Sequence, residues 1–129
     1  MLLRMRQKRV LVVEDDVDLR RLYRTSLALA GYSVEEAGDG IDALRMVENR
    51  LPDLIVLDLV LHALDGISVQ QELAACAITR QIPIVVVTGS TIPTDALPVA
   101  CVLRKPVMPD ELVRTVRHWM IQGAPASQG

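Results

Sequence analysis

Four short stretches of this chain carry side chains suited to handling a phosphoryl group. Glu14-Asp15-Asp16 supplies consecutive acids, and Asp58 follows directly on the aliphatic run Leu54-Ile55-Val56-Leu57. Thr88 follows Ile82-Pro83-Ile84-Val85-Val86-Val87, and Lys105 stands just before Pro106. Carboxylates crowded together repel, and each raises the pKa of its neighbour. A hard divalent cation with oxygen ligands neutralises such a group, and Mg2+ keeps waters while taking only a few carboxylates. A lysine and a hydroxyl beside it add a point charge and a donor for an anionic phosphoryl group. Each residue also has an ordinary role open to it. Asp16 reads as a helix N-cap, Glu14 and Asp15 as capping acids, Thr88 as a strand-end residue and Lys105 as a solvated loop cation. Only their convergence would make a site, so the elements that carry them decide the matter.

Each of these stretches lies at the end of an apolar run. Leu54 to Leu57 has no polar alternation, the pattern of a central parallel strand buried on both faces. Val10 to Val13, Ile82 to Val87 and Ala100 to Leu103 read as further strands, and Pro83 stands near a strand start where a missing donor is tolerable. Tyr32 to Ala37 carries charge and suits a sheet edge. Between the strands lie helical patterns. Leu19, Leu22, Tyr23, Ser26, Leu27 and Ala30 form the first apolar face, with Arg20, Arg21 and Arg24 mainly opposite and Gly31 as the C′ residue. The second helix runs from about Ile41 to Asn49. The third follows Asp65-Gly66 and turns Ile67, Val69, Leu73, Ala74 and Ala77 inward. A last helix opens at Pro109-Asp110 with Leu112, Val113, Val116, Trp119 and Met120 in its stripe. Thr91 to Ala100 holds Pro93 and Pro98, leaving room for barely a turn or two of helix. This alternation predicts an α/β fold: a doubly wound, five-stranded parallel sheet in the flavodoxin-like order 2-1-3-4-5, with a truncated or absent fourth helix. In such a sheet the carboxyl ends of the first, third, fourth and fifth strands share one crevice.

At 129 residues the chain fits one domain, and with no Phe, one Trp and two Tyr its core must be aliphatic. The expected layout is a basic extension over 1–7, the domain over 8–122 and a flexible tail over 123–129. A net charge of −2 gives no support for nucleic-acid binding, and the basic run Arg4 to Arg9 reads as solvated. Cys76, placed in a helix, and Cys101, placed in a strand, read as small core or near-core residues in a reducing compartment. No apolar run approaches the roughly 20 residues of a membrane span, and Met1-Leu2-Leu3-Arg4 is too short for a signal h-region. The expected location is the cytoplasm, with no membrane partner.

Taken in order, Val10-Leu11-Val12-Val13-Glu14-Asp15-Asp16, Pro52 to Asp58, Asp65-Gly66, Pro83 to Gly89 and Lys105-Pro106 resemble the response-regulator receiver domain of two-component signalling. The resemblance runs from about Lys8 to Gln122. It implies that Asp58 accepts a phosphoryl group from a phosphohistidine on a sensor histidine kinase or a histidine phosphotransfer protein. It further implies Mg2+ (or Mn2+) held by Glu14, Asp15, Asp58 and the backbone carbonyl of Val60. Thr88 and Lys105 would bind phosphoryl oxygens, with a cis bond before Pro106. A homodimer is a further option.

Several positions depart from the family pattern. His62 stands where a proline is common and reads as an exposed loop histidine. Val60 replaces a frequent polar residue; covering the site, it would hinder hydrolytic water and lengthen the life of an aspartyl phosphate. Val102 replaces the Tyr or Phe whose rotamer change accompanies the movement of the threonine. Two other functions compete with the phosphoacceptor. A phosphorylation-independent interaction module would fit the missing aromatic and the short fourth helix. A phosphohydrolase of the haloacid dehalogenase type would need an acid where Val60 stands.

Overall fold

The structure, a computed structural model, describes residues 6–122. The expected tail and most of the expected N-terminal extension fall outside that span. Strands β1 (Arg9–Val13), β2 (Ser33–Ala37), β3 (Leu54–Leu57), β4 (Ile84–Thr88) and β5 (Cys101–Arg104) form one sheet in the order β2-β1-β3-β4-β5. All four pairings are parallel. Helices α1 (Val17–Leu29), α2 (Gly40–Asn49), α3 (Gly66–Ala74) and α4 (Pro109–Gln122) cover its two faces, and a 3-10 turn spans Thr79–Gln81.

Strand alternation divides the core into two layers. Leu11, Val13, Ile55, Leu57 and Val86 face α2 and α3, meeting Ala43, Val47, Val69 and Leu73. Val10, Val12, Leu54, Val56, Val85 and Val87 face the other way, against Tyr23 and Leu27 of α1 and Leu112 and Val116 of α4. Both faces of the central strands are therefore buried, which is why β1, β3 and β4 read as unbroken aliphatic runs.

Local signals fix the helix ends. The carboxylates of Asp16, Asp39 and Asp65 accept from the backbone N–H three residues on, at 3.0, 2.8 and 2.8 Å, the N-cap geometry. Gly31 follows α1 at φ +105°, a left-handed conformation glycine adopts freely. Gly66 answers a different need. A Cβ there would stand 2.2 Å from the Asp58 carbonyl oxygen, so only glycine lets α3 start this close to the end of β3.

Some expectations need correction. Arg9 belongs to β1 and is buried, not solvated: its guanidinium pairs with Glu35 and donates to the Leu51 carbonyl. Buried this way, the charge is tolerable only because it is paired. Leu22 is largely exposed, because α1 needs only a narrow stripe against the sheet. α3 stops at Ala74, so Ala77 and Cys76 fall beyond it and both are exposed. Cys76 is thus not a near-core residue in a helix, while Cys101 is half-buried in β5.

No helix forms between β4 and β5. Pro93 and Pro98 remove backbone donors and bias Ile92 and Leu97 away from the helical region. The segment instead makes tight turns, Leu97 N–H donating to Thr94 O at 3.0 Å and Val99 N–H to Leu97 O at 2.9 Å. Leu97 and Val99 then pack on the α3-side core in the helix's place.

Candidate functional site

The sheet register brings the strand ends together. Asp58 N–H donates to Val13 O at 3.0 Å, continuing the β1–β3 ladder by one rung and setting Asp58 beside Glu14. Lys105 N–H donates to Thr88 O at 2.9 Å, which seats Lys105 one residue past β5. The peptide bond from Lys105 to Pro106 is cis, as the resemblance implied. Arg20 of α1 secures the β1 end, donating to the Glu14 carbonyl at 2.8 Å and to the Glu36 carboxylate at 3.2 Å.

Lys105 Nζ sits between two carboxylates, 2.6 Å from Glu14 Oε1 and 3.0 Å from Asp58 Oδ2. The second oxygen of Asp58 accepts from Val60 N–H at 3.2 Å, and that of Glu14 from Asp16 N–H at 3.2 Å. Glu14 and Asp58 are 2% and 5% exposed, so they are buried acids that need partners. One carboxylate oxygen each from Glu14, Asp15 and Asp58 lie within 4.8 Å of one another. They open onto a cavity of about 540 Å³, which Asp16, Val60, Ser90 and Lys105 also line.

Burial pushes the Glu14 carboxyl up to about 7; the Lys105 hydrogen bond opposes this and the charge of Asp58 adds to it. For Lys105, burial acts downward, but the hydrogen bonds to Glu14 and Asp58 outweigh it and the ammonium is held above its ordinary value. Lys105 therefore stays charged. One lysine against these acids leaves negative charge in excess. Oxygen donors at this spacing suit a small hard cation.

Of the residues expected to act, Glu14, Asp15, Asp58 and Lys105 meet at the cavity, and Val60 passes its rim with its side chain half exposed. Thr88 ends β4 as expected but is fully buried, and its hydroxyl accepts from Ser90 N–H at 3.1 Å. The wall beyond it is made by Gly89, Ser90 and Thr91. His62 is an exposed loop residue, yet its Nε2 lies 3.2 Å from Asp15 Oδ2. Sequence reasoning missed that contact, as it missed Ser90 and the role of Arg20. A basic residue one turn into the helix after an acidic strand end was the available signal for Arg20.

A sheet of this order with acids, a buried threonine and a lysine at its carboxyl edge defines the receiver class of signalling domain. The response regulator receiver domain family matches residues 10–117, and the chain belongs to that family. It is 43% identical over 81 residues to the response regulator MprA of Mycobacterium sp. (strain KMS), covering 63% of this chain and 34% of that protein. It thus spans about a third of the length of that curated relative. The chemotaxis response regulator CheY4 of Vibrio cholerae superposes with a TM-score of 0.81 at 27% identity, over 88% of this chain and 98% of that one. The receiver domain of a sensor histidine kinase from Pseudomonas aeruginosa PAO1, with a magnesium ion coordinated in its active site cleft, gives a TM-score of 0.81 at 30% identity. The match covers 89% of this chain and 98% of that one.

Proposed function

We propose that the chain is a phosphoacceptor in which Asp58 takes a phosphoryl group from a phosphohistidine of a sensor histidine kinase or phosphotransfer protein. The observation that carries this is Asp58 itself: a buried carboxylate with one oxygen on Lys105 at 3.0 Å and two further acids at its side. Glu14, Asp15 and Asp58, with the Val60 carbonyl, would hold Mg2+ or Mn2+. When bound, the cation supplies the charge neutralisation that lets an anionic carboxylate approach an anionic phosphorus.

The chain's own groups do the rest. An Asp58 oxygen attacks phosphorus, the P–N bond to the donor imidazole breaks, and its electrons leave with that nitrogen. Lys105 stabilises charge on the transferring oxygens, and Thr88 donates to one of them. Hydrolysis needs water at the same phosphorus, and the Val60 side chain at the cavity rim narrows that approach. The domain extends over 8–122, works in the cytoplasm and performs no turnover on an external substrate. Among the described residues, no helix is long and apolar enough to cross a membrane. Incubation with acetyl phosphate and Mg2+, read by intact mass, tests the reading. Wild type should gain one phosphoryl group and Asp58→Asn none; equal labelling of the two would overturn it.

A second reading, an interaction module that signals without phosphate, draws on Val102 and the lack of a helix between β4 and β5. It predicts normal partner binding by the Asp58→Asn variant.

A further inference from the structure

β4 and β5 end on the paired residues Thr88 and Arg104. From there, hydrogen bonds run outward along the segment that joins β4 to β5 without a helix. Thr88 Oγ1 accepts from Ser90 N–H at 3.1 Å, and Ser90 Oγ accepts from Ile92 N–H at 3.1 Å. Arg104 closes the path. Its Nη1 donates to the Ser90 carbonyl at 2.5 Å and its Nη2 to Thr94 Oγ1 at 3.0 Å. Thr94 is itself buried, and Leu97 and Val99 beyond it pack on the core. The end of β5 thus aims one cation, Lys105, into the acidic cavity and its neighbour, Arg104, over the β4–β5 connection.

We propose that Arg104 is a positioning residue that couples the Thr88 hydroxyl to segment 90–99, so that a phosphoryl group on Asp58 loosens that segment from the end of β5. The proposal rests on Asp58 being the phosphoacceptor. Thr88 Oγ1 accepts from Ser90 N–H, so its own proton is left to donate to a phosphoryl oxygen, and that charge-assisted bond, about twice as strong as a neutral one, sets where the hydroxyl oxygen sits. The bond from Ser90 is already at the long end of the usual range, so a small shift of the hydroxyl oxygen loses it or drags Ser90 along. Ser90 cannot move alone. Its carbonyl shares the planar guanidinium with Thr94, and a rigid fork shifts both anchors together. Val102, half-buried against the α3-side core, offers no aromatic ring to swing in response. The polar path through Arg104 leads from the cavity to the surface without one.

Hydrogen–deuterium exchange of the whole chain, with and without acetyl phosphate and Mg2+, reads the coupling, while intact mass on the same samples counts the phosphoryl group. In phosphorylated wild type, amides over 89–99 should exchange about fivefold faster, as a local opening made easier. Arg104→Gln should exchange fast there before phosphorylation and gain little after it, while keeping its adduct. If that variant does not fold, Thr94→Val, which leaves Arg104 on Ser90, should show a raised baseline and a reduced response. A phosphorylated wild type with unchanged exchange over 89–99 would overturn the coupling alone. So would a variant that keeps the full phosphorylation-dependent rise. An unlabelled wild type would overturn the phosphoacceptor reading and the coupling with it.

Discussion

In the proposed reading, Glu14 is where a proton and a metal ion would compete. Burial and the neighbouring Asp58 raise its carboxyl from 4.5 to about 7, so the folded chain binds this proton more tightly than the unfolded one. The stability Glu14 contributes without metal is fully present below about pH 4.5 and is lost as pH rises through about 7. In EDTA, the melting temperature should therefore fall between pH 5 and 8, and Glu14→Gln should flatten that slope; an unchanged slope would contradict the assignment. Because the cation needs the deprotonated form, Mg2+ affinity should rise over the same interval, measurable by calorimetry. Lys105 and Val60 act at the same scale. Lys105→Met should slow phosphorylation by about 100-fold or more, since it removes the charge set against the transferring oxygens. Val60→Asn should shorten the life of the aspartyl phosphate, followed as loss of the adduct with time. Glu14, Asp15, Asp58 and Lys105 were legible in the sequence because each stands within two residues of the end of an apolar run. The bonds from Arg104 to Ser90 and Thr94, and the approach of His62 to Asp15, were not. They depend on the path of loops, which carry no periodicity.

At the scale of elements, the site depends on how closely α3 begins against the end of β3. Gly66→Ala would drive a methyl group into the Asp58 carbonyl and the Leu59 Cα, both backbone atoms that cannot step aside cheaply. It should cost about 1–3 kcal/mol in urea denaturation and lower the phosphorylation rate as Asp58 shifts. At the opposite end of the sheet, Asp53 ties β1 to the β3 entry, accepting from Arg9 N–H and from the Arg6 guanidinium, both at 2.8 Å. Those bonds overcome the cost of its burial and hold its carboxyl below the ordinary value. β1, β3 and β4 could be read from composition alone because both their faces are buried. Arg9 could not, since nothing in a run of basic residues says which one pairs with Glu35. The prolines at 93 and 98 correctly excluded a full helix, but not how Leu97 and Val99 would cover the core.

For the molecule as a whole, the order β2-β1-β3-β4-β5 follows from strand–helix alternation and right-handed crossovers, and it alone places four strand ends at one crevice. Family membership adds the chemistry that such a crevice performs. With no helix between β4 and β5 and a valine at 102, the segment from Ser90 to Val99 takes the place of a surface that receiver domains commonly present. Everything proposed for the site requires Asp58 to be the phosphorylated residue. Borohydride reduction of the acetyl phosphate-treated protein, followed by peptide mapping, tests it most directly, because an aspartyl phosphate is reduced to homoserine. Homoserine at position 58 and nowhere else is the predicted result. Homoserine at Asp15 or Asp16 with Asp58 unchanged, or phosphate found on His62, would contradict the account.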